Sequence, residues 1–76
     1  MAELLEYLAR QLVDEPDSVS VEKAVVDDEL VLRLHVAEAD RGKVIGRQGR
    51  VARALRAVVR ASAVRERRRV RLEIVD

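Results

Sequence analysis

Apolar and polar residues recur along this chain with two different periods, and the period marks its elements. Leu4, Leu5, Leu8, Leu12 and Val13 fall at helical spacing, with Glu3, Glu6, Arg10 and Gln11 between them, which predicts an amphipathic helix over residues 2–14. Pro16 stops it, because the residue before a proline disfavours helical angles. Val19 and Val21 then alternate with Ser18 and Ser20, predicting a strand over residues 18–26. The alternation slips at Lys23, where Ala24, Val25 and Val26 run together; a bulge or an edge position accounts for it. Asp27-Asp28 is a turn signal.

Residues 29–37 carry the cleanest two-residue period: Leu30, Leu32, Leu34 and Val36 on one side, Glu29, Arg33 and His35 on the other. The short connection makes residues 18–37 an antiparallel hairpin. A short helix is expected over residues 38–45, with Asp40 near its start and Gly46 at its end. A long helix follows over residues 48–64. Val51, Leu55, Val58, Val59 and Ser62 share its packing face, and Arg53, Arg56 and Arg60 point outward. Val70, Leu72 and Ile74 alternate with Arg71 and Glu73 in a last strand over residues 69–75. The order is α-β-β-α-α-β. Strands two and three are joined through helices and so run parallel. The fold class is α+β, with a three-stranded mixed sheet and three helices packed on one face; Arg33, His35 and Glu73 lie on the other, wet face.

Composition narrows the possible chemistry. A chain of 76 residues is one domain, and such a domain buries only about 60% of its unfolded surface. Without cysteine it has no disulfide, thiolate metal site or cysteine nucleophile, which fits a reducing cytosol. A single histidine, His35, excludes a multi-histidine metal site. No apolar run reaches the ~20 residues that span a membrane, and no signal-peptide pattern opens the chain. No nucleophile–base pair is evident, and Ser18, Ser20 and Ser62 fall in regular elements, so an enzyme is the least favoured class and no cofactor is implied. Charge is more informative than its total of +1. Residues 1–40 hold 11 acids against 3 bases, and residues 41–76 hold 12 bases against 3 acids. That segregation suggests a basic surface aimed at a polyanion.

The candidate chemistry centres on Lys43-Val44-Ile45-Gly46-Arg47-Gln48-Gly49-Arg50-Val51. Two glycines three apart let the backbone turn tightly and admit a ligand closely. The helix that follows opens with unpartnered N–H groups carrying partial positive charge, a natural phosphate seat. Arg47 and Arg50 add full charges beside it. The loop lacks the G-K-[ST] ending of a nucleotide-hydrolysing P-loop.

Val44-Ile45-Gly46-Arg47-Gln48-Gly49 resembles the Ile-Gly-x-x-Gly core of a KH domain. The block Arg41 to Arg50, continuing into Ala54-Leu55-Arg56-Ala57-Val58-Val59-Arg60-Ala61, is similar to the small bacterial single-KH proteins of the KhpA family. The likeness covers nearly the whole chain, so residues 1–76 are expected to form one type II KH domain. It implies single-stranded RNA binding with little sequence specificity, the loop clamping about four nucleotides. Carried over, Gly46 and Gly49 admit the phosphates, Arg47 and Gln48 fill the variable positions, and Lys43 and Arg50 flank them as phosphate contacts. Val44, Ile45 and Val51 form an apolar floor for the bases; core packing is the other role open to the same three residues. Ala52 makes that floor shallower, and the acidic turn Asp27-Asp28-Glu29 opposes base contacts from its side. The resemblance also implies a cytoplasmic RNA chaperone that dimerises or pairs with a larger KH-containing protein of the KhpB type, with a role in cell shape and peptidoglycan homeostasis. A second reading from the residues is a docking module working through the acidic N-terminal half and the alanine-rich helix.

Overall fold

The computed structural model describes residues 1–75. Helix α1 (Ala2–Leu12) carries Glu3 in its first turn and Arg10 in its last, each complementing the helix dipole. Its buried stripe is Leu5 and Ala9, while Leu4 and Leu12 are exposed. The packed face is thus rotated from the one predicted, and Ala9 is its centre. The helix also ends two residues early: Val13 is extended, and Pro16–Ser18 form a separate 3₁₀ turn.

Three strands form one sheet in the order β1 (Ser20–Val26), β2 (Glu29–His35), β3 (Val70–Ile74). β1 and β2 are antiparallel and β2 and β3 parallel, as the pattern predicts. Asp27 and Asp28 both have positive φ, the conformation a two-residue hairpin turn requires. The β1–β2 register runs unbroken from Ser20–His35 to Val26–Glu29, so there is no bulge. The slip in alternation has the other expected cause, the edge position. Lys23 lies opposite Leu32 on the helix-facing side and remains exposed at the open edge.

A 3₁₀ turn (Glu38–Asp40) runs into α2 (Arg41–Ile45), and a second (Arg47–Gly49) precedes α3 (Arg50–Arg65). All three helices pack on one face of the sheet. Leu5, Ala9, Val19, Leu32, Leu34, Val44, Leu55, Val59 and Leu72 make the core between them. Small residues set the α3 seat: Ala52 and Ala63 are buried with Leu55 and Val59, while Val58 and Ser62 lie at its margin. This α+β arrangement is that of a type II KH fold.

The opposite face of the sheet is tied by ion pairs. Arg33 Nε lies 3.1 Å from Glu73 and His35 Nε2 lies 3.3 Å from Glu22. Arg71 reaches both Glu29 and Glu73 at 3.5 Å. Val31 is fully buried on this face, between its cross-strand neighbours Ala24 and Arg71.

Candidate nucleic-acid interface

Local backbone chemistry shapes the glycine loop. Helix α2 stops at Gly46, whose N–H donates to the Gly42 carbonyl at 2.8 Å and whose φ and ψ are 76° and 171°, a region only glycine occupies readily. A Cβ at Gly46 would stand 2.5 Å from Val51 Cγ2 and 2.8 Å from the Val51 nitrogen. Glycine is therefore what lets the loop lie flat on the first turn of α3. Gln48 and Gly49 are left-handed, with φ of 58° and 74°. The Gly49 N–H donates to the Gly46 carbonyl at 3.1 Å, which closes the turn. Arg47 and Gln48 stand exposed at its tip, and their amides open a helical turn with no preceding intrahelical acceptor.

Two braces hold this loop, and neither is visible in the sequence. Arg53 Nη2 donates to the Gln48 carbonyl at 2.8 Å, locking the left-handed residue from one turn into α3. The helical pattern alone predicts an Arg53 that simply points outward. Asp40 is the only polar side chain in the buried set of the described residues. Its carboxylate accepts the N–H of Asp14 at 3.2 Å and of Glu15 at 3.0 Å, fastening the exit of α1 to the start of α2. Lys43 donates to Asp14, and to Asp40 at 3.4 Å. Burial pushes the Asp40 carboxyl up, but the two backbone N–H groups and the Lys43 ammonium outweigh it and hold it below the usual carboxylate value. The Asp14 hydrogen bond holds the Lys43 ammonium above its ordinary value, against the pull of desolvation.

The predicted site residues accordingly separate by environment. Gly46, Arg47, Gln48, Gly49 and Arg50 form one exposed or half-buried rim. Ile45 is 38% exposed beside it and Val51 is half-buried beneath it. Val44 is fully buried in the core, so it supports the loop from below. Lys43 is engaged by the two acids.

Two grooves flank α3. On the α1 side, Leu8, Leu12, Val51, Ala54 and Val58 line an apolar groove of about 470 Å³ that begins at Arg50. On the β3 side, Arg56, Val59, Arg60, Val70, Arg71 and Leu72 line a narrower cleft. Among the described residues, no carboxylate pairs with Arg47, Arg50, Arg56 or Arg60, whereas Arg10, Arg33, Lys43 and Arg71 are all paired. The cations left unpaired therefore include those of the loop and of the β3 side of α3.

The family model for the KhpA/KhpB KH domain matches residues 2–74. The chain belongs to the KhpA/KhpB family. The RNA-binding protein KhpA of Halalkalibacterium halodurans is 50% identical over 76 residues, covering the whole of both chains. The RNA-binding protein KhpA of Clostridium acetobutylicum is 49% identical over 75 residues, covering 99% of this chain and all of that one. Among solved structures, Era in complex with MgGDPNP and nucleotides 1506–1542 of 16S ribosomal RNA superposes with a TM-score of 0.60 at 25% identity. The match covers 96% of this KH domain but 28% of the Era chain. No helix among the described residues is long and apolar enough to cross a membrane.

Proposed function

We propose that this KH domain binds single-stranded RNA at the Gly46–Gly49 loop, with little base preference. The carrying observation is the loop itself: glycine-dependent backbone laid against α3, with unpaired Arg47 and Arg50 beside it. Phosphates approach the loop amides, and sugars and bases lie against Ile45 and Val51. The names of its relatives and the RNA-bound Era support the same ligand class. The chain has no Phe or Trp, so bases meet aliphatic rather than aromatic surfaces. Such a site is expected to be weak and salt-sensitive, because its affinity comes largely from phosphate contacts.

The apolar groove between α1 and α3 favours a second reading that coexists with the first. Leu12 is 39% exposed and Ala54 is exposed beside half-buried Leu8 and Val58, an apolar strip open to a second copy of this chain or to a KhpB-type partner. Pairing two RNA sites would raise the effective concentration of the second. Family resemblance extends this to a cytoplasmic RNA chaperone acting in cell shape and peptidoglycan homeostasis.

The test is an NMR titration of the labelled protein with a short single-stranded RNA at low and moderate salt. Amide shifts confined to Gly46–Arg50 and the neighbouring helices, lost in a folded Arg47→Asp, Gln48→Asp variant, support the reading. Unmoved loop amides at low salt refute it. Sedimentation of the same variant separates the two readings, since the apolar groove is intact and any dimer should persist.

A further inference from the structure

The run Arg65-Glu66-Arg67-Arg68-Arg69 lies outside the glycine-loop site, and the fold gives it a defined shape. Helix α3 ends at Arg65, and Arg67 turns the chain back with φ of 53°. The turn is closed by the Arg67 N–H to the Val64 carbonyl at 3.2 Å and the Arg68 N–H to the Ala63 carbonyl at 2.9 Å. The Leu30 N–H then donates to the Arg69 carbonyl at 2.9 Å, pinning the turn to the central strand. Three successive arginines therefore project from a fixed backbone.

They enclose a real concavity. Arg60, Arg67, Arg68 and Arg69 surround a hollow of about 460 Å³, and Ala63, Val64 and Val70 give it an apolar side. Val64 is 73% exposed, the most exposed of the large apolar residues. Among the described residues Glu29 is the only acid in the lining, and Arg71 already holds it at 3.5 Å. Among the described residues none of the four arginines has an ion-pair partner. Basic residues after a helix also complement its dipole, but that role needs no hollow and no exposed valine. Fixed cations around an uncovered aliphatic surface match a nucleotide, whose phosphate is anionic and whose base and sugar are not.

We propose that this arginine turn is a second phosphate-binding seat for single-stranded RNA, distinct from the glycine loop and at the opposite end of α3. The proposal rests on the RNA reading above. The 16 residues of α3 separate the two seats by about 24 Å. The cleft lined by Arg56, Arg60 and Arg71 shares Arg60 and Val70 with the hollow and runs from it along the β3 edge in the direction of the loop. The RNA track is therefore longer than the roughly four nucleotides that a GXXG loop clamps. Asp27 and Asp28, in the hairpin turn next to the start of β2, set an acidic boundary beyond the arginines.

The experiment measures fluorescence anisotropy with labelled oligouridylates of four, six, eight and ten nucleotides across a salt series. The variants are Arg67→Ala, Arg68→Ala, Arg69→Ala in one chain, the corresponding triple lysine chain, and Arg47→Asp, Gln48→Asp. Circular dichroism checks that each is folded. Wild-type affinity should keep rising beyond four nucleotides. The triple alanine chain should bind the four-nucleotide RNA normally but lose that rise, and its log–log salt slope on the longest RNA should flatten by about 0.7 for each phosphate it no longer neutralises. The triple lysine chain should recover most of it. Saturation of the wild type at four nucleotides, or equal weakening by the alanine chain at every length, overturns the second seat and leaves the loop reading standing. Wild-type-like binding by the loop variant, with loss only in the alanine chain, upholds the turn and overturns the loop. No wild-type binding at any length overturns both.

Discussion

Replacing Gly46 by alanine should cost far more than the same change at Gly49, although both glycines have positive φ and both belong to one motif. At Gly46 the pair φ 76°, ψ 171° lies in a region closed to other residues, a cost of about 1–3 kcal/mol. The new Cβ would also sit 2.5 Å from Val51 Cγ2, 2.8 Å from its nitrogen and 2.9 Å from its Cβ. Overpacking of this kind costs about 1–3 kcal/mol more. At Gly49 the angles are those of the ordinary left-handed region and nothing lies within 4 Å of the added carbon. Only the left-handed penalty of roughly 1–2 kcal/mol applies there. Restriction of the unfolded chain offsets both variants similarly, by about 0.4–1 kcal/mol. The expected gap is thus about 1–4 kcal/mol, within a total stability of about 4–11 kcal/mol for a domain this size. Urea unfolding followed by circular dichroism reads it: with a slope near 1 kcal/mol/M the midpoints should differ by about 1–4 M. Adding Val51→Ala should restore only part of the Gly46→Ala loss, since the clashes with the Val51 nitrogen and Cβ remain. Midpoints within about 0.5 M of each other would refute the idea that the loop is moulded on Val51.

The Asp40–Lys43 pair predicts pH dependence at both extremes. Asp40 is depressed in the folded state, so its contribution is present above the ordinary carboxylate value of about 4 and is lost as pH falls below it. Lys43 is raised, so its contribution is present below about 10.4 and is lost as pH rises beyond. Asp40→Asn should flatten the acid limb of a midpoint-against-pH curve, and an unchanged limb would remove Asp40 from the account. Arg53→Ala should speed amide exchange at Gln48 and Gly49 while shifting global stability by under about 1 kcal/mol, the cost of one exposed hydrogen bond; a large global loss would contradict a local brace. Leu5→Ala should cost about 2–5 kcal/mol and Leu4→Ala well under half of that, because only Leu5 is enclosed; equal losses would place the α1 face where its leucines alone suggest.

Local periodicity made the sheet and the glycine loop legible. The alternation of Leu30, Leu32 and Leu34 fixes both the strand and its buried side, and Gly46 ends α2 where its spacing indicates. What stayed hidden depends on distant partners. A single methyl group adds little to the periodic signal beside four leucines, so Ala9 did not stand out as the centre of the α1 stripe. Val31 is buried on the polar face because a central strand has neighbours on both sides. Asp40 looks like a helix-capping residue, yet it bonds to amides 25 and 26 positions away. Arg53 fits a solvated helix face until Gln48 adopts a left-handed turn that presents its carbonyl.

The shortness of α2 has a mechanical consequence. Five residues are too few to hold a helical axis of their own, so its direction is borrowed from its attachments. One end is moored through Asp40 to the chain leaving α1, and the other hands over directly to Gly46. The loop is thus cantilevered from the α1 exit rather than anchored only by the long helix behind it, and unmooring residues 14–15 would let its exposed Arg47–Gln48 tip swing while α3 stayed in place.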